Sequence, residues 1–144
     1  MTTVEYLKQL YKLENEVKSK NEIVEKLRSQ AEKVTSSLNQ SHVTSSHNNG
    51  SREDIIIKMI DMQEVIISDT NRLLDLRMTI IEQINRVRNT NYRLLLLNRY
   101  VNFKTWEWIA EDLGKTYQGI VYRGGIHDRA IKAFESVLKE SEEN

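Results

Sequence analysis

The sequence predicts an all-α protein, in which a long helical hairpin or coiled coil precedes a C-terminal helix-turn-helix domain. The chain has no Pro and only 5 Gly in 144 residues, a composition that favours long helices. Residues 1–39 and 53–91 each repeat apolar side chains at alternating steps of four and three. Residues 92–140 divide instead into shorter apolar segments, separated by Thr, Asn and Gly.

Residues 1–39 are predicted to form an amphipathic coiled-coil helix. Its apolar seam extends over more than four heptads with one polar member, Lys20, and its outer faces are rich in Glu and Lys. Because so narrow a stripe buries only one side, the helix needs a partner, either a second copy of the chain in a homo-oligomer or the second helix of the same chain. The seam comprises Tyr6, Leu10, Leu13, Val17, Lys20, Val24, Leu27, Ala31, Val34 and Leu38.

A polar segment, residues 40–52, is predicted to be a flexible linker, because small polar residues dominate it and the apolar period is lost. Its two His residues have no Cys near them, so we interpret them as loop residues and not as metal ligands. Residues 53–91 are predicted to form a second long helix with a broader apolar face, which indicates more than one neighbour. Asp69 and Gln83 lie in its seam, where they either set the register or mark the edge of a splayed contact.

The net charge of the chain is zero, but the charges are unevenly distributed. Residues 1–85 carry 11 basic and 13 acidic side chains, whereas residues 86–132 carry 9 basic and 4 acidic, a net charge of +5. Contacts with phosphate require such a local excess of positive charge. The alternative interpretation is the ordinary bias of a charged helix. Residues 141–144 form an acidic tail.

Several classes of protein are not expected. Cys is absent, which excludes disulfides and thiolate chemistry and agrees with a reducing cytoplasm. The N-terminus lacks the basic and apolar regions of a signal peptide, and no apolar run of about 20 residues predicts a membrane span. Nucleotide-binding loops, serine-hydrolase motifs and zinc motifs are also missing, so we expect neither an enzyme nor a bound cofactor or metal.

The C-terminal stretch is predicted to contain two short helices joined by a tight turn. Thr105 can cap the first helix and Thr116 the second, which would begin at Tyr117. Trp106 begins the apolar face of the first helix, and Gly114 follows that face where a residue with positive φ usually ends a helix. Two short helices joined in this way form a helix-turn-helix, whose second helix commonly enters the major groove of DNA.

The same stretch carries a spaced set of residues: Arg99-Tyr100, Trp106, Ile109-Ala110, Leu113-Gly114, Val121-Tyr122-Arg123 and His127 to Ile131. This set resembles region 4 of bacterial sigma factors, most closely in the phage late-transcription regulators of the RinA/ArpU type. The resemblance covers residues 92–138 and implies DNA binding, control of phage transcription and a contact with RNA polymerase. In that family the recognition helix runs unbroken into the terminal helix. Here Gly124-Gly125 leaves two alternatives, an unbroken helix or a stop near Arg123 with a restart near Ile126.

The sequence therefore predicts a sequence-specific transcriptional regulator of phage or mobile-element origin, which binds double-stranded DNA through residues 117–123. Gln can form bidentate hydrogen bonds with adenine, and Arg can bind guanine or phosphate. Arg99 has the alternative of pairing with Glu107 or Glu111. The predicted DNA-binding residues are Lys104, Lys115, Thr116, Tyr117, Gln118, Tyr122, Arg123, Arg99 and Arg129.

A second hypothesis assigns the function to the coiled coil. The protein would then be an oligomeric interaction protein, such as a DNA-packaging recognition subunit that resembles small terminase subunits, or a binder of another phage protein. Those subunits also combine a helix-turn-helix with an oligomerising helical region. The oligomeric state in solution separates the two hypotheses, since a large ring favours packaging and a monomer or dimer favours regulation.

Overall fold

The computed structural model describes residues 1–40 and 46–143, and the side chains of residues 1–36 and 51–143 within them. Helices and no strands occur in these residues, which confirms the all-α prediction. The helices are α1 (Thr3–Gln40), α2 (Ser46–Asn85), α3 (Thr90–Leu96, continued by a π-helical turn over Leu97–Val101), α4 (Trp106–Leu113), α5 (Tyr117–Val121) and α6 (Ile126–Glu143).

The long helices differ from the predicted bounds at the ends of α2. This helix begins at Ser46, so part of the predicted linker 40–52 is helical, while residues 41–45 lie outside the described residues. It ends at Asn85, before the predicted end at residue 91. The reason lies in Asn89, whose side chain accepts the Tyr92 N–H at 3.1 Å and caps α3 instead of continuing α2.

One compact unit comprises Leu13–Arg72, in which α1 and α2 form an antiparallel hairpin. The Lys20 ammonium contacts the carboxylate of Asp69, and a guanidinium nitrogen of Arg72 lies 3.5 Å from the other carboxylate oxygen. Asp69 is buried although it is charged. Lys20 of the first predicted seam therefore meets Asp69 of the second, and the partner of the first helix in this hairpin is the second helix of the same chain.

The other compact unit comprises Met1–Lys12 and Leu73–Asn144. The sequence predicted a domain over residues 92–140, but this unit also includes the first turns of α1 and the last turns of α2. The Tyr6 ring lies 6.4 Å from the Phe134 ring, and its hydroxyl donates to the Gln83 side-chain oxygen at 2.7 Å. The largest fully buried side chains of the unit are Phe134, Leu7, Leu10, Ile80, Ile84, Leu95, Leu96, Ile109 and Ile120.

One face of α3 and of the π-helical turn is buried. Leu96 is fully buried and Tyr100, four residues later, is 5% exposed, whereas Leu94 is 39% exposed. A spacing of four residues places Leu96 and Tyr100 on the same side of a helix. The Asn102 N–H reaches the carbonyl of Leu97 at 2.9 Å, five residues back, so the turn over Leu97–Val101 is wider than an α-helical turn.

Candidate nucleic-acid interface

The first helix of the predicted helix-turn-helix is α4, and both of its ends are closed by local residues. The Thr105 hydroxyl accepts the Trp108 N–H at 3.1 Å. At the other end Gly114 has a φ of 67°, and the following N–H of Lys115 donates to the Ala110 carbonyl at 2.8 Å. This is the pattern that ends helices on a left-handed residue. The structure thus matches the cap and the turn that the sequence predicted.

The second helix, α5, begins at Tyr117 as predicted. The Thr116 hydroxyl accepts the Gly119 N–H at 3.0 Å, so this side chain, one of the predicted DNA-binding residues, caps the helix. Ile120 is fully buried and attaches α5 to the core. The orientation of α5 is therefore determined by one cap and one buried side chain.

The Gly124-Gly125 pair ends the recognition element. Gly124 has a φ of 79°, and its N–H donates to the Asp128 carboxylate at 2.7 Å. A Cβ on Gly125 would lie 2.9 Å from the carbonyl oxygens of both Gly119 and Ile120. Only Gly allows this close approach, which occurs in the turn between the end of α5 at Val121 and the start of α6 at Ile126. Of the two alternatives, the structure has the interrupted helix.

Four of the predicted DNA-reading side chains lie together in α5 and the turn after it. Tyr117 is 46% exposed and Tyr122 is 53% exposed. Gln118 and Arg123 are also exposed, as is Lys115 in the turn before α5. Two rings, one amide and one guanidinium are therefore exposed within the seven residues 117–123.

Arg99 and Lys104 are placed around the tryptophans of α4. The Arg99 guanidinium lies 4.3 Å from the Trp106 ring, and one of its N–H groups donates to the Lys104 carbonyl at 3.0 Å. The Lys104 ammonium lies 4.9 Å from the partly exposed Trp108 ring. Arg99 therefore makes a stacking contact, and the ion pairs of the described residues do not include one from Arg99 to an acidic residue of α4.

Arg129 supports the turn between α5 and α6. Its Nε–H donates to the Gly125 carbonyl at 3.4 Å, while the residue as a whole is exposed. The guanidinium thus holds the Gly turn and still has donors that face solvent.

His127 joins α6 to the helices before it. Its Nε2 lies 2.6 Å from the Tyr100 hydroxyl, and its ring meets the Trp106 ring edge-on at 4.8 Å. Burial lowers the pKa of His127, although the nearby Asp128 carboxylate opposes that shift. Burial also raises the pKa of Tyr100 to about 12. Both rings are therefore neutral near pH 7 and form a packed polar link between α6 and the helices before it.

One group of residues in this unit could not be predicted from the sequence. Lys8, Tyr11 and Lys12 lie outside the predicted α1 seam, and nothing in their spacing relates them to the C-terminal domain. In the structure they line a surface cleft together with Arg99 and Phe103. Only long-range packing brings these segments together.

In the described parts of the chain, no group of three or more His, Asp or Glu side chains is arranged to hold a metal ion. None of the described helices combines the length and the apolarity that crossing a bilayer would require.

We expect Gly125→Ala to destabilise the Met1–Lys12 and Leu73–Asn144 unit by about 2 kcal/mol or more, because the added methyl group would overlap two backbone carbonyls that cannot move independently. Urea unfolding followed by tryptophan fluorescence measures this loss, since both tryptophans, Trp106 and Trp108, belong to this unit. The control is Gly124→Asn, because a Cβ there meets open space and Asn tolerates a positive φ. Equal stability of the two variants would contradict the close approach at Gly125.

Comparison of the chain with known proteins did not identify its family. No protein-family model matches it, and neither the curated proteins nor the solved structures contain a significant match.

Proposed function

We propose that this protein is a sequence-specific DNA-binding regulator of phage or mobile-element transcription. In this proposal α5 and the turn after it, residues 117–123, enter the major groove. The observation that carries the proposal is the pair of capped helices α4 and α5. Ile120 of α5 is buried in the core, while Gln118 on α5 and Arg123 in the turn after it are exposed. A helix-turn-helix reads DNA with this division between a buried and an exposed side.

The exposed side chains supply the chemistry that base recognition needs. The Gln118 amide can donate to and accept from an adenine edge, and the Arg123 guanidinium can donate two hydrogen bonds to guanine. Tyr117 and Tyr122, which directly precede these two residues in the chain, are exposed and offer hydroxyl donors for phosphate or apolar contact with thymine methyl groups.

Cations around the two helices supply the contacts that do not depend on sequence. Residues 86–132 have a net charge of +5. Lys115 precedes α5 and Lys104 precedes α4. Arg129 lies in α6 and donates to the carbonyl of Gly125 in the turn between α5 and α6. Such cations orient a protein on the phosphate backbone and release counterions.

The short recognition helix limits the length of DNA that can be read. With the residues Tyr117–Val121, α5 extends only about 7.5 Å along its axis at about 1.5 Å per residue. Arg123 lies in the turn after the helix. We therefore propose that one copy reads only a few consecutive base pairs, and that phosphate contacts supply much of the affinity.

The proposal is tested by selecting bound sequences from a randomised duplex library with the full chain, followed by titration of the selected duplex between about 50 and 200 mM salt. We expect an enriched motif and a steep loss of affinity with salt. Gln118→Ala combined with Arg123→Ala should remove the sequence preference while the helical circular dichroism signal is unchanged.

The matched control for this variant is Gln30→Ala combined with Arg52→Ala, because it removes the same side-chain types from exposed positions in the hairpin unit. The control should select the same motif as the parent chain. The proposal is wrong if the library yields no motif and binding does not weaken with salt.

The resemblance to sigma region 4 also leads us to propose a contact with RNA polymerase. Co-elution of the chain with purified bacterial polymerase holoenzyme and core enzyme tests this separately from DNA binding. Recovery of the chain only in the unbound fractions would remove the polymerase from the proposal.

A second candidate function is supported by the surface of α2 in the hairpin unit. Ile57, Ile60 and Ile67 are 56%, 47% and 62% exposed. An exposed row of this kind commonly marks a protein-binding surface. The protein would then act through its coiled coil, as an oligomeric DNA-packaging subunit or as a binder of another phage protein. Light scattering distinguishes the candidates, since a large ring of subunits favours packaging and a monomer or dimer favours regulation.

A further inference from the structure

We infer that a second site on this protein, separate from α5, binds a nucleotide unit, that is, a phosphate group joined to a flat base. The site is a surface cleft of about 460 Å³ between the first turns of α1 and the π-helical turn Leu97–Val101. Leu7 and Tyr100, both buried, form its floor. A cleft of this volume lies in the range of about 300–1,000 Å³ that is usual for small-ligand sites.

Positive charge is concentrated in this cleft. Lys8, Lys12 and Arg99 line it, and none of its lining residues is acidic. Lys8 and Lys12 are four residues apart on one helix, where two like charges repel each other. Glu5, which precedes them on the same helix, accepts the Thr2 N–H at 2.7 Å at the start of α1. Hydrogen bonds from Thr2 and, to a smaller extent, the charges of Lys12 and Lys8 lower the pKa of its carboxyl, so Glu5 offsets part of the repulsion. An anion in the cleft would relieve the repulsion between the two ammonium groups.

Arg99 is held in place before any ligand arrives. Its guanidinium stacks on the Trp106 ring and donates to the Lys104 carbonyl. A guanidinium has five N–H donors, so others stay free to bind phosphate. Because its position is already determined, Arg99 loses little conformational entropy when an anion binds.

Two aromatic rings stand beside these cations. Tyr11 is 54% exposed, and its ring meets the Phe103 ring edge-on at a centroid distance of 5.4 Å with an angle of 75° between the planes. Exposed rings beside cations are the arrangement on which nucleic-acid bases stack. The rings distinguish a nucleotide from a simple anion such as sulfate, for which the three cations alone would be sufficient.

The backbone at Phe103 indicates that its ring has a role in the cleft. Phe103 has a φ of 56°, and it is the one residue other than Gly with a positive φ in the described parts of the chain. The Lys104 N–H donates to the Asn98 carbonyl at 2.8 Å, so Phe103 ends its helix as Gly114 ends α4. Gly is favoured at such a position, and an L side chain there is strained. Strain of this kind persists where a functional site needs the side chain.

The test measures binding of four probes to the full chain by fluorescence and calorimetry: a single-stranded oligo-dT, ATP, inorganic phosphate and a polyglutamate peptide. We expect the oligonucleotide or ATP to bind at least tenfold more tightly than phosphate or polyglutamate. Binding of the oligonucleotide but not ATP identifies an unpaired nucleotide within a strand as the ligand. Binding of ATP alone identifies a free nucleotide. Equal or tighter binding of polyglutamate overturns the inference.

Variants of the cleft test the same inference at the level of its residues. Tyr11→Ala, and Lys8→Ala combined with Lys12→Ala, should each weaken nucleotide binding at least tenfold. The matched control is Lys18→Ala combined with Lys26→Ala, which removes the same charge from exposed positions of α1 in the hairpin unit. Unchanged binding by both cleft variants overturns the inference.

Phe103→Gly distinguishes the backbone strain at this position from the contribution of the ring to nucleotide binding. We expect this variant to melt at the same temperature or higher, because Gly accepts the left-handed backbone, and yet to bind the nucleotide probe at least fivefold more weakly. A variant that binds as tightly as the parent removes the ring from the site and contradicts the argument from strain.

The outcome is independent of the duplex-binding proposal. Gln118→Ala combined with Arg123→Ala should leave nucleotide binding in the cleft unchanged, while the cleft variants should leave the selected duplex motif unchanged. Loss of nucleotide binding in the Gln118 and Arg123 variant would mean that one site binds both ligands, and it would overturn the inference of a second site.

Discussion

Replacement of Phe134 with Ala should destabilise the Met1–Lys12 and Leu73–Asn144 unit by about 3–5 kcal/mol. Phe134 is fully buried in α6, and its ring stacks on Tyr6 at 6.4 Å with 20° between the planes. A loss of this size is a large part of the about 5–15 kcal/mol that stabilises a typical domain. Near-ultraviolet circular dichroism measures it, because both tryptophans belong to this unit.

The control for Phe134→Ala is Tyr6→Phe. It keeps the stacked ring and removes only the hydroxyl that donates to Gln83 at 2.7 Å. We expect the free energy of unfolding to fall by about 1 kcal/mol, the usual net value of a hydrogen bond. The loss is somewhat larger if no water replaces the hydroxyl as the partner of Gln83. A smaller effect for Phe134→Ala than for Tyr6→Phe would show that the α6 ring is not the centre of this core.

The second large effect is expected at the ion pair between Lys20 and Asp69. Asp69→Leu should destabilise the hairpin by about 2–3 kcal/mol, because it leaves the Lys20 charge beside an apolar seam. The Lys20 side chain is 29% exposed, so water lowers this cost below that of a fully buried charge. Lys20→Leu combined with Asp69→Leu should recover the loss or exceed parental stability, since two leucines can fill a heptad seam.

A double-mutant cycle measures the coupling between Lys20 and Asp69. The parent, the two single variants and the double variant are unfolded with urea and followed by circular dichroism at 222 nm. Arg72→Ala is the control, because Arg72 is mostly exposed and lies 3.5 Å from the Asp69 carboxylate. Its cost should be below about 1 kcal/mol. Additive losses of the two single variants would show that the pair does not determine the register of the hairpin.

The polar residues of the long helices show why tertiary structure was needed. The sequence left two interpretations of Asp69 and Gln83, a register device or the edge of a splayed contact. In the structure Asp69 meets Lys20 and Gln83 meets Tyr6, so each polar seam residue of α2 faces a polar partner on α1. Heptad spacing identifies the seam of each helix, but it does not identify which residue of the other helix lies opposite a given seam position.

The caps and the turn of the two short helices were determined by the local sequence. Thr105, Gly114 and Thr116 were predicted to cap and end the two short helices, and each does so with neighbours no more than five residues away. Such interactions depend on backbone geometry within one turn, so residue type and spacing are sufficient to predict them. The all-α class followed for the same reason, since apolar periodicity is a property of each segment.

Only the tertiary structure decided which distant groups meet. It buried Leu96 and left Leu94 partly exposed, and it joined the first turns of α1 to α6 through Tyr6 and Phe134. It also placed Lys8 near Arg99 in one cleft. These outcomes depend on contacts between residues far apart in the chain. The strength of such contacts is set by packing in three dimensions, and it does not appear in the apolar periodicity of either segment.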